Sequence, residues 1–304
     1  LPGPVQLPPR QRKGIVLAID LEDYSFEKGA KTLVRSTEAT ILERIPPRIA
    51  IRRNAPLELP HAMLLYDDVD FSVLNGVERG KILYDFELML GGGHVKGWLV
   101  SNSGDVAEAF GRTVKDGLLF AVGDGNHSLA TAKAHWEEVK ATLSEEERKN
   151  HPARFALAEA VNIYDGALKF EPIHRFIKTD LAEKLISGLK TSGGNRAYTV
   201  INGVKSQIPF AGDIPSGIRE LDAYISEFIR EYGGEVDYIH GEKELCGFTL
   251  NGGAGIILPP VKKSEFFNLI RTGGNLPKKT FSMGAGEEKR YYIEAKLIKQ
   301  VLCQ

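Results

Sequence analysis

The sequence predicts a mixed α/β fold, a mixed sheet with flanking helices, on three observations. Apolar runs of strand length recur, among them Gly14–Asp20, Ala62–Tyr66 and residues 95–100, 118–122 and 254–259. Amphipathic stretches at helical spacing lie between them. The clearest covers residues 216–232, with Ile218, Leu221, Tyr224, Ile225 and Phe228 on one face. Ahead of residue 123 a strand, a short helix and a second strand follow one another, an alternation that favours α/β layering.

Taken in order, residues 1–12 are a proline-rich lead-in and Gly14–Asp20 is a strand. Residues 20–29 form a polar turn region. Residues 31–53 concentrate Lys31, Arg35, Arg44, Arg48, Arg52 and Arg53 against only Glu38 and Glu43. That segment reads either as anion-facing or as a solvated helix face, and Pro46-Pro47 is expected to end any helix there. Ala62–Tyr66 is a core strand, followed by the acidic turn Asp67-Asp68-Val69-Asp70, which reads as a solvated loop or as a Mg²⁺ site. Residues 80–91 are mixed, 95–100 a strand, 105–117 a short helix and 118–122 a buried strand. Residues 143–151 are charged and exposed, and 153–163 are helix or strand. Residues 168–177 carry His174-Arg175, either a donor pair for phosphate or a surface or core-edge pair. A helix over 181–189, a hairpin over 198–210 and the helix over 216–232 follow. Strands are expected at 236–240, 246–250 and 254–259, and a helix at 264–272. The last stretch, with Lys278, Lys279, Ser282 and its glycines, is a second anion cradle or a basic loop capping a C-terminal helix. The best boundary lies near His151. It divides an N-terminal α/β region, 1–150, from a C-terminal α/β region, 151–304, that shares a core with the first or stands alone.

The chain of 304 residues is long enough to bury a core without staples, and 42% hydrophobic with 26% charged residues is globular composition. A net charge of −1 gives no basic field for nucleic acid, and no helix-turn-helix with a basic face is evident. Cys246 and Cys303 lack metal-ligand spacing, which fits a reducing, cytoplasmic compartment. No apolar run is long enough to span a bilayer as a helix.

The densest chemistry lies in residues 118–140. The apolar run ends in the turn Gly123-Asp124-Gly125-Asn126-His127-Ser128, and a helix with Leu129, Ala132, Trp136 and Val139 at its spacing follows. A helix start presents backbone N–H groups and the positive end of a dipole, which together favour phosphate. Asp124 and His127 are placed to reach a ligand. The plain alternative is a turn whose Asn126 or Ser128 caps the helix.

The motifs GDGNHSLATAK, FEPIHR and KTFSMGAGEEKRYYIEAK, with STEATILERIPPR and HAMLLYDD in order, resemble the bacterial and archaeal family catalogued as domain of unknown function 1015. The resemblance covers nearly the whole chain. The proline-rich start is similar to an entry partway into the family's N-terminal region, so the resemblance implies that part of a site lies upstream. The focal turn resembles the Asp-Gly-His-His-Arg pattern of the ParB/sulfiredoxin-like superfamily, which includes free serine kinases and binds nucleotide phosphates there. Asp124, Gly125 and His127 match that pattern. Asn126 replaces its first histidine and Ser128 its arginine, and serine offers one donor where arginine offers a bidentate fork. Lys133, Arg175 or Arg44 would have to supply the charge. The resemblance implies ATP or ADP and Mg²⁺ as cofactors and phosphoryl transfer to a small hydroxylated metabolite such as serine. Asp124 would be base or metal ligand and His127 would stabilise charge. Gly123, Gly125, Asn126, Ser128, Lys133, Arg44, His174 and Arg175 would line the phosphates. A non-catalytic nucleotide-binding regulator is the second expectation, and a structural protein without ligand the third.

Overall fold

The structure is a computed structural model that describes residues 10–59, 62–283 and 290–299. The fold is mixed α/β. The chain divides into two compact units, one of Leu1–Leu168, Phe267–Asn275 and Ala285–Gln304, the other of Lys169–Phe266 and Leu276–Gly284. The division follows Leu168 and not His151, because the strand Phe155–Asn162 is hydrogen-bonded inside the first unit.

The first unit runs β1 (Gly14–Asp20), β2 (Tyr24–Ser25), β3 (Val34–Ser36), α1 (Ile45–Asn54), β4 (Leu57–Glu58), β5 (Ala62–Tyr66) and α2 (Ser72–Asn75). It continues with β6 (Arg79–Glu87), β7 (His94–Val100), α3 (Ser103–Arg112), β8 (Phe120–Asp124), α4 (Asn126–Lys140), α5 (Glu145–Asn150) and β9 (Phe155–Asn162). Its six-stranded sheet has the order β1-β9-β5-β8-β3-β2. β5 lies parallel to β9, with Ala62 opposite Ala158, and β3 parallel to β8, with Val34 opposite Phe120. β1 and β9 pair antiparallel, as do β5 and β8. Leu64, Tyr66, Val122, Leu129, Trp136 and Ala158 belong to one buried cluster. Tyr66 meets Phe110 edge-on at 5.1 Å. Residues 153–163 resolve as strand because every residue from Ala156 to Asn162 is buried, as in an interior strand covered on both faces.

Pro46 and Pro47 open α1 instead of ending a helix. Proline suits the first helical turn, where its missing N–H has no partner to lose. Residues 79–87, mixed in the sequence, are β6, paired with β7 in a two-stranded ribbon.

The second unit contains β10 (Phe170–Lys178), α6 (Ala182–Ser187), β11 (Asn195–Ile201), β12 (Val204–Phe210), α7 (Ile214–Tyr232), β13 (Glu235–His240), α8 (Glu242–Thr249) and β14 (Ala254–Ile257). The helix α9 (Lys263–Gly273) passes from this unit into the first, and β15 (Phe281–Met283) closes the second. The sheet order is β12-β11-β14-β10-β13, with β15 added to β10. The strand expected at 246–250 is the end of α8. Leu245 and Thr249, four apart, are both fully buried, and that helical spacing outweighs the β-like composition of Cys246 to Leu250. The expected C-terminal helix is absent from residues 290–299. There β16 (Lys296–Leu297) pairs with β4, so a partner more than 230 residues away overrides local propensity. The GAGEEK part of the second anion cradle, residues 284–289, lies outside the described residues.

Burial also sets an acid limit. His174 is 4% exposed, and its Nδ1 accepts the Leu258 N–H at 3.2 Å, a role only the neutral ring can fill. Burial pushes its pKa down from 6.5 to about 4. In the first unit burial, reinforced by Arg52, does the same to His135. The unfolded chain therefore binds more protons than the folded chain between those values. The contribution is complete above pH 6.5 and is lost as pH falls toward 4. Thermal melts should show Tm falling through that window. His174→Phe should melt lower at pH 7 and depend less on pH, and an unchanged pH slope would remove His174 from this account.

Candidate functional site

The turn between β8 and α4 rests on one backbone conformation. Gly125 has φ 86° and ψ 20°, a left-handed geometry that costs a side-chain-bearing residue energy. A Cβ there would also stand 3.1 Å from the Ala62 Cα at the start of β5. Asp124 Oδ1 accepts the Gly125 N–H at 2.8 Å and holds the turn from the other side. No side chain caps the helix, and its first turn carries no acidic residue. The Leu129 N–H donates to Gly125 O at 2.9 Å. The backbone N–H groups ahead of it belong to the first turn, where a helix has no acceptors of its own.

Asn126 does not face a ligand. Its side chain is buried, and Oδ1 accepts from Ser36 Oγ at 2.6 Å and from the Thr37 N–H at 3.2 Å. Thr37 Oγ1 donates onward to Val122 O at 2.6 Å. The residue expected to bind phosphate is thus a clamp that ties the α4 start to the end of β3 and to β8. His127 Nε2 accepts the Ile41 N–H at 3.4 Å, which puts the neutral ring's proton on Nδ1. Ser36, Thr37 and Ile41 were not singled out by sequence reasoning. Ser36 and Asn126 are 90 positions apart, and no local pattern reports such a pairing.

The other predicted residues divide clearly. Gly123 and Asp124 end β8, and His127 and Ser128 lie half-buried in the first turn of α4. Arg44 is exposed, three residues beyond Ile41, and α1 after it packs on α4 through Ile45, Ile49 and Ala130. Lys133 lies two turns along α4 and pairs with Glu137 at 2.6 Å, so it does not stand at the turn. His174 and Arg175 are in the second unit. Arg175 is completely buried, and its guanidinium takes both Asp222 oxygens at 2.8 and 2.9 Å, with Nη1 on Ile173 O and Lys279 O. A phosphate cannot reach it, so the donor-pair reading of His174-Arg175 gives way to a structural one. The acidic turn is structural too. Asp68 takes the Val73 N–H and the Ser72 hydroxyl, while Asp67 takes Lys115 and the Tyr164 hydroxyl. Among the described residues no group of three or more His, Cys, Asp or Glu is arranged to hold a metal. In the basic segment, Arg35 is buried against Thr32 O and Asp116 O and Arg52 pairs with the buried Glu58, while the exposed Arg53 pairs with Glu138, so neither a solvated face nor an anion-facing stripe describes the whole segment.

A family profile described as a protein of unknown function (DUF1015) matches residues 5–299. The chain belongs to that family. No curated protein matches this DUF1015 chain. Among solved structures it is similar to a free serine kinase in complex with AMP, at 14% identity, 97% of this chain, 92% of that one and a TM-score of 0.47. It is similar to a mutant of free serine kinase in complex with ADP, at 13% identity, 97% and 93% coverage and a TM-score of 0.49. SbnI with a C-terminal truncation from Staphylococcus aureus gives 8% identity, 93% and 87% coverage and a TM-score of 0.48. At such identities these likenesses assign no activity to the DUF1015 chain. Among its described residues no helix is long and apolar enough to cross a membrane.

Two substitutions probe these assignments. Gly125→Ala should destabilise the chain by about 1–2 kcal/mol in denaturant titrations, the cost of a left-handed alanine. Arg175→Ala should cost about 3 kcal/mol, because it strands Asp222 beside a buried gap. If Arg175→Ala unfolds at the same denaturant concentration as the parent, the buried pair is not structural.

Proposed function

We propose that the turn Asp124–Ser128 binds the phosphates of ADP or ATP and that the protein transfers a phosphoryl group to the hydroxyl of a small metabolite of the serine class. The observation that carries this reading is the uncapped, non-acidic start of α4 directly beyond the left-handed Gly125. Backbone N–H groups and the helix dipole act there on an anion at short range. The resemblance of the turn to the ParB/sulfiredoxin-like pattern supports the same ligand class.

Each residue has a definite task in this proposal. Asp124 is the carboxylate at the turn, and its charge would repel a phosphate placed on the same helix start. Mg²⁺ arriving with the nucleotide resolves that conflict, since this ion is commonly held by one or two carboxylates plus substrate phosphates. Asp124 then either holds the ion or takes the acceptor's hydroxyl proton as the new P–O bond forms and the bond to the leaving nucleotide breaks. Ser128 donates one hydrogen bond to a phosphate oxygen. Arg44, exposed and without an ion pair among the described residues, supplies cationic charge. A cytoplasmic setting fits a nucleotide-dependent enzyme with no need of disulfides.

Ser128 also favours a second reading, a nucleotide-binding regulator without catalysis, because a single hydroxyl stabilises developing charge less than an arginine fork does.

Phosphorus NMR of the chain with Mg²⁺, ATP or ADP and a pool of hydroxylated metabolites separates the two. Phosphotransfer gives a new phosphomonoester signal, and Asp124→Asn lowers its rate by roughly 10²–10⁴-fold while leaving nucleotide affinity nearly unchanged. A regulator gives no new signal but melts higher with nucleotide, by about 2.7 kcal/mol of added stability at a hundredfold excess over Kd. If no nucleotide raises Tm, both readings fall.

A further inference from the structure

The other end of α4 carries a feature that the nucleotide reading does not use. A cleft of about 390 Å³ opens between the C-terminal half of α4, the end of α1 and the strap after β16, all within the first unit. That volume lies in the range of small-molecule sites. Its walls are apolar at Val139 and Ile298 and polar at Arg53, His135, His151 and Lys299.

His135 is the unusual member. It is 4% exposed, and its Nδ1 is buried with no hydrogen-bond partner among the described residues. A buried ring nitrogen without a partner is costly, and native interiors rarely keep one unless a ligand or water completes it. Beside it, His151 stacks on Trp136 at 6.0 Å and accepts the Ala153 N–H on Nδ1, so its remaining nitrogen, Nε2, carries the proton.

The charge balance decides what would complete His135. Arg52, Arg53 and Lys299 all act on it as cations, and Glu138 is the acidic group that opposes them. Arg53 is neutralised by Glu138 at 2.6 Å and Arg52 by Glu58 at 2.6 Å. Lys299 is exposed and has no ion pair among the described residues, and Glu58 is shared between Arg52 and Lys296, so the balance of charge about the mouth is positive. The C-terminal end of α4 opposes an anion with about half a negative charge, less than the lysine supplies. Burial and these cations hold the pKa of His135 near 4, so at neutral pH the ring is neutral and offers one N–H.

We infer that this cleft is a binding site for a small organic anion, with its carboxylate or phosphate head on Lys299 and the N–H of the His135 ring and its short apolar body against Val139 and Ile298. The site is separate from the Asp124 turn and does not rest on the nucleotide reading. Asn126 and His135 stand nine positions apart on the helix, a rise of roughly 13 Å.

The test is a titration of the whole chain with butyrate, butyl phosphate and inorganic phosphate, followed by the ¹⁵N resonances of the histidine rings. The expected result is a saturable shift of the His135 ring ¹⁵N signals with butyrate or butyl phosphate. The head group that binds tighter names the source class. Lys299→Ala, at an exposed position, should weaken that binding about tenfold, the scale of one lost charge-assisted contact. Thr142→Glu, at an exposed position on the cleft wall, should weaken it as well. Neither change should alter the response to ADP, which separates this site from the turn. The inference is overturned if no compound moves the His135 signal, or if the shift survives both substitutions. Inorganic phosphate binding as tightly as butyl phosphate would overturn the assignment of an organic body.

Discussion

Much of the first unit depends on the left-handed turn at Gly125 and the buried amide that follows it. The turn places the start of α4 against Ala62 on β5, where a Cβ on residue 125 would stand only 3.1 Å from the Ala62 Cα. Asn126 then fixes the helix to Ser36 and Thr37, and Thr37 to Val122. Leaving such an amide unsatisfied in the interior costs about 1–3 kcal/mol, so the network admits essentially one geometry. From it follow the bond between Ile41 and His127 and the packing of α1 on α4 through Ile45 and Ile49.

The same physics explains which charged residues are held by the fold. Arg175 is fully buried with Asp222 and two carbonyls around its guanidinium. Asp68 accepts from the start of α2. Lys133 and Arg53 close pairs along α1 and α4. Of the two ends of α4, the first is met by Ile41, three residues before Arg44, through its N–H on His127, and the second borders the cleft that Lys299 also lines. A helix of 15 residues separates these ends by roughly 20 Å, and their opposite backbone polarity gives each its own electrostatic character.

The readable parts of the sequence were those governed by short-range rules. The strand at Ala62–Tyr66, the long amphipathic helix α7 and the strand–glycine–helix unit around Gly125 each announce themselves within a dozen residues. Pro46-Pro47 was misread because proline is tolerated at the front of a helix and harmful inside it, and local context did not say which applied. The stretch at 246–250 was misread because its buried face is set by contacts above β14, with Leu245 packed against Gly255.

The sequence by itself determined the α/β class, the place of the turn and the membership that its motifs signalled. All of these rest on covalent neighbours, periodicity and the special conformational freedom of glycine. Only the tertiary structure decided what the polar side chains do. Asn126 became a clamp, Arg175 a buried ion pair and Asp67 and Asp68 structural anchors, while His135 Nδ1 has no partner among the described residues. The reason is that a polar side chain acts according to its hydrogen-bond partners. Those partners lie 47 positions away for Arg175 and 90 for Asn126, and only the folded chain brings them into reach.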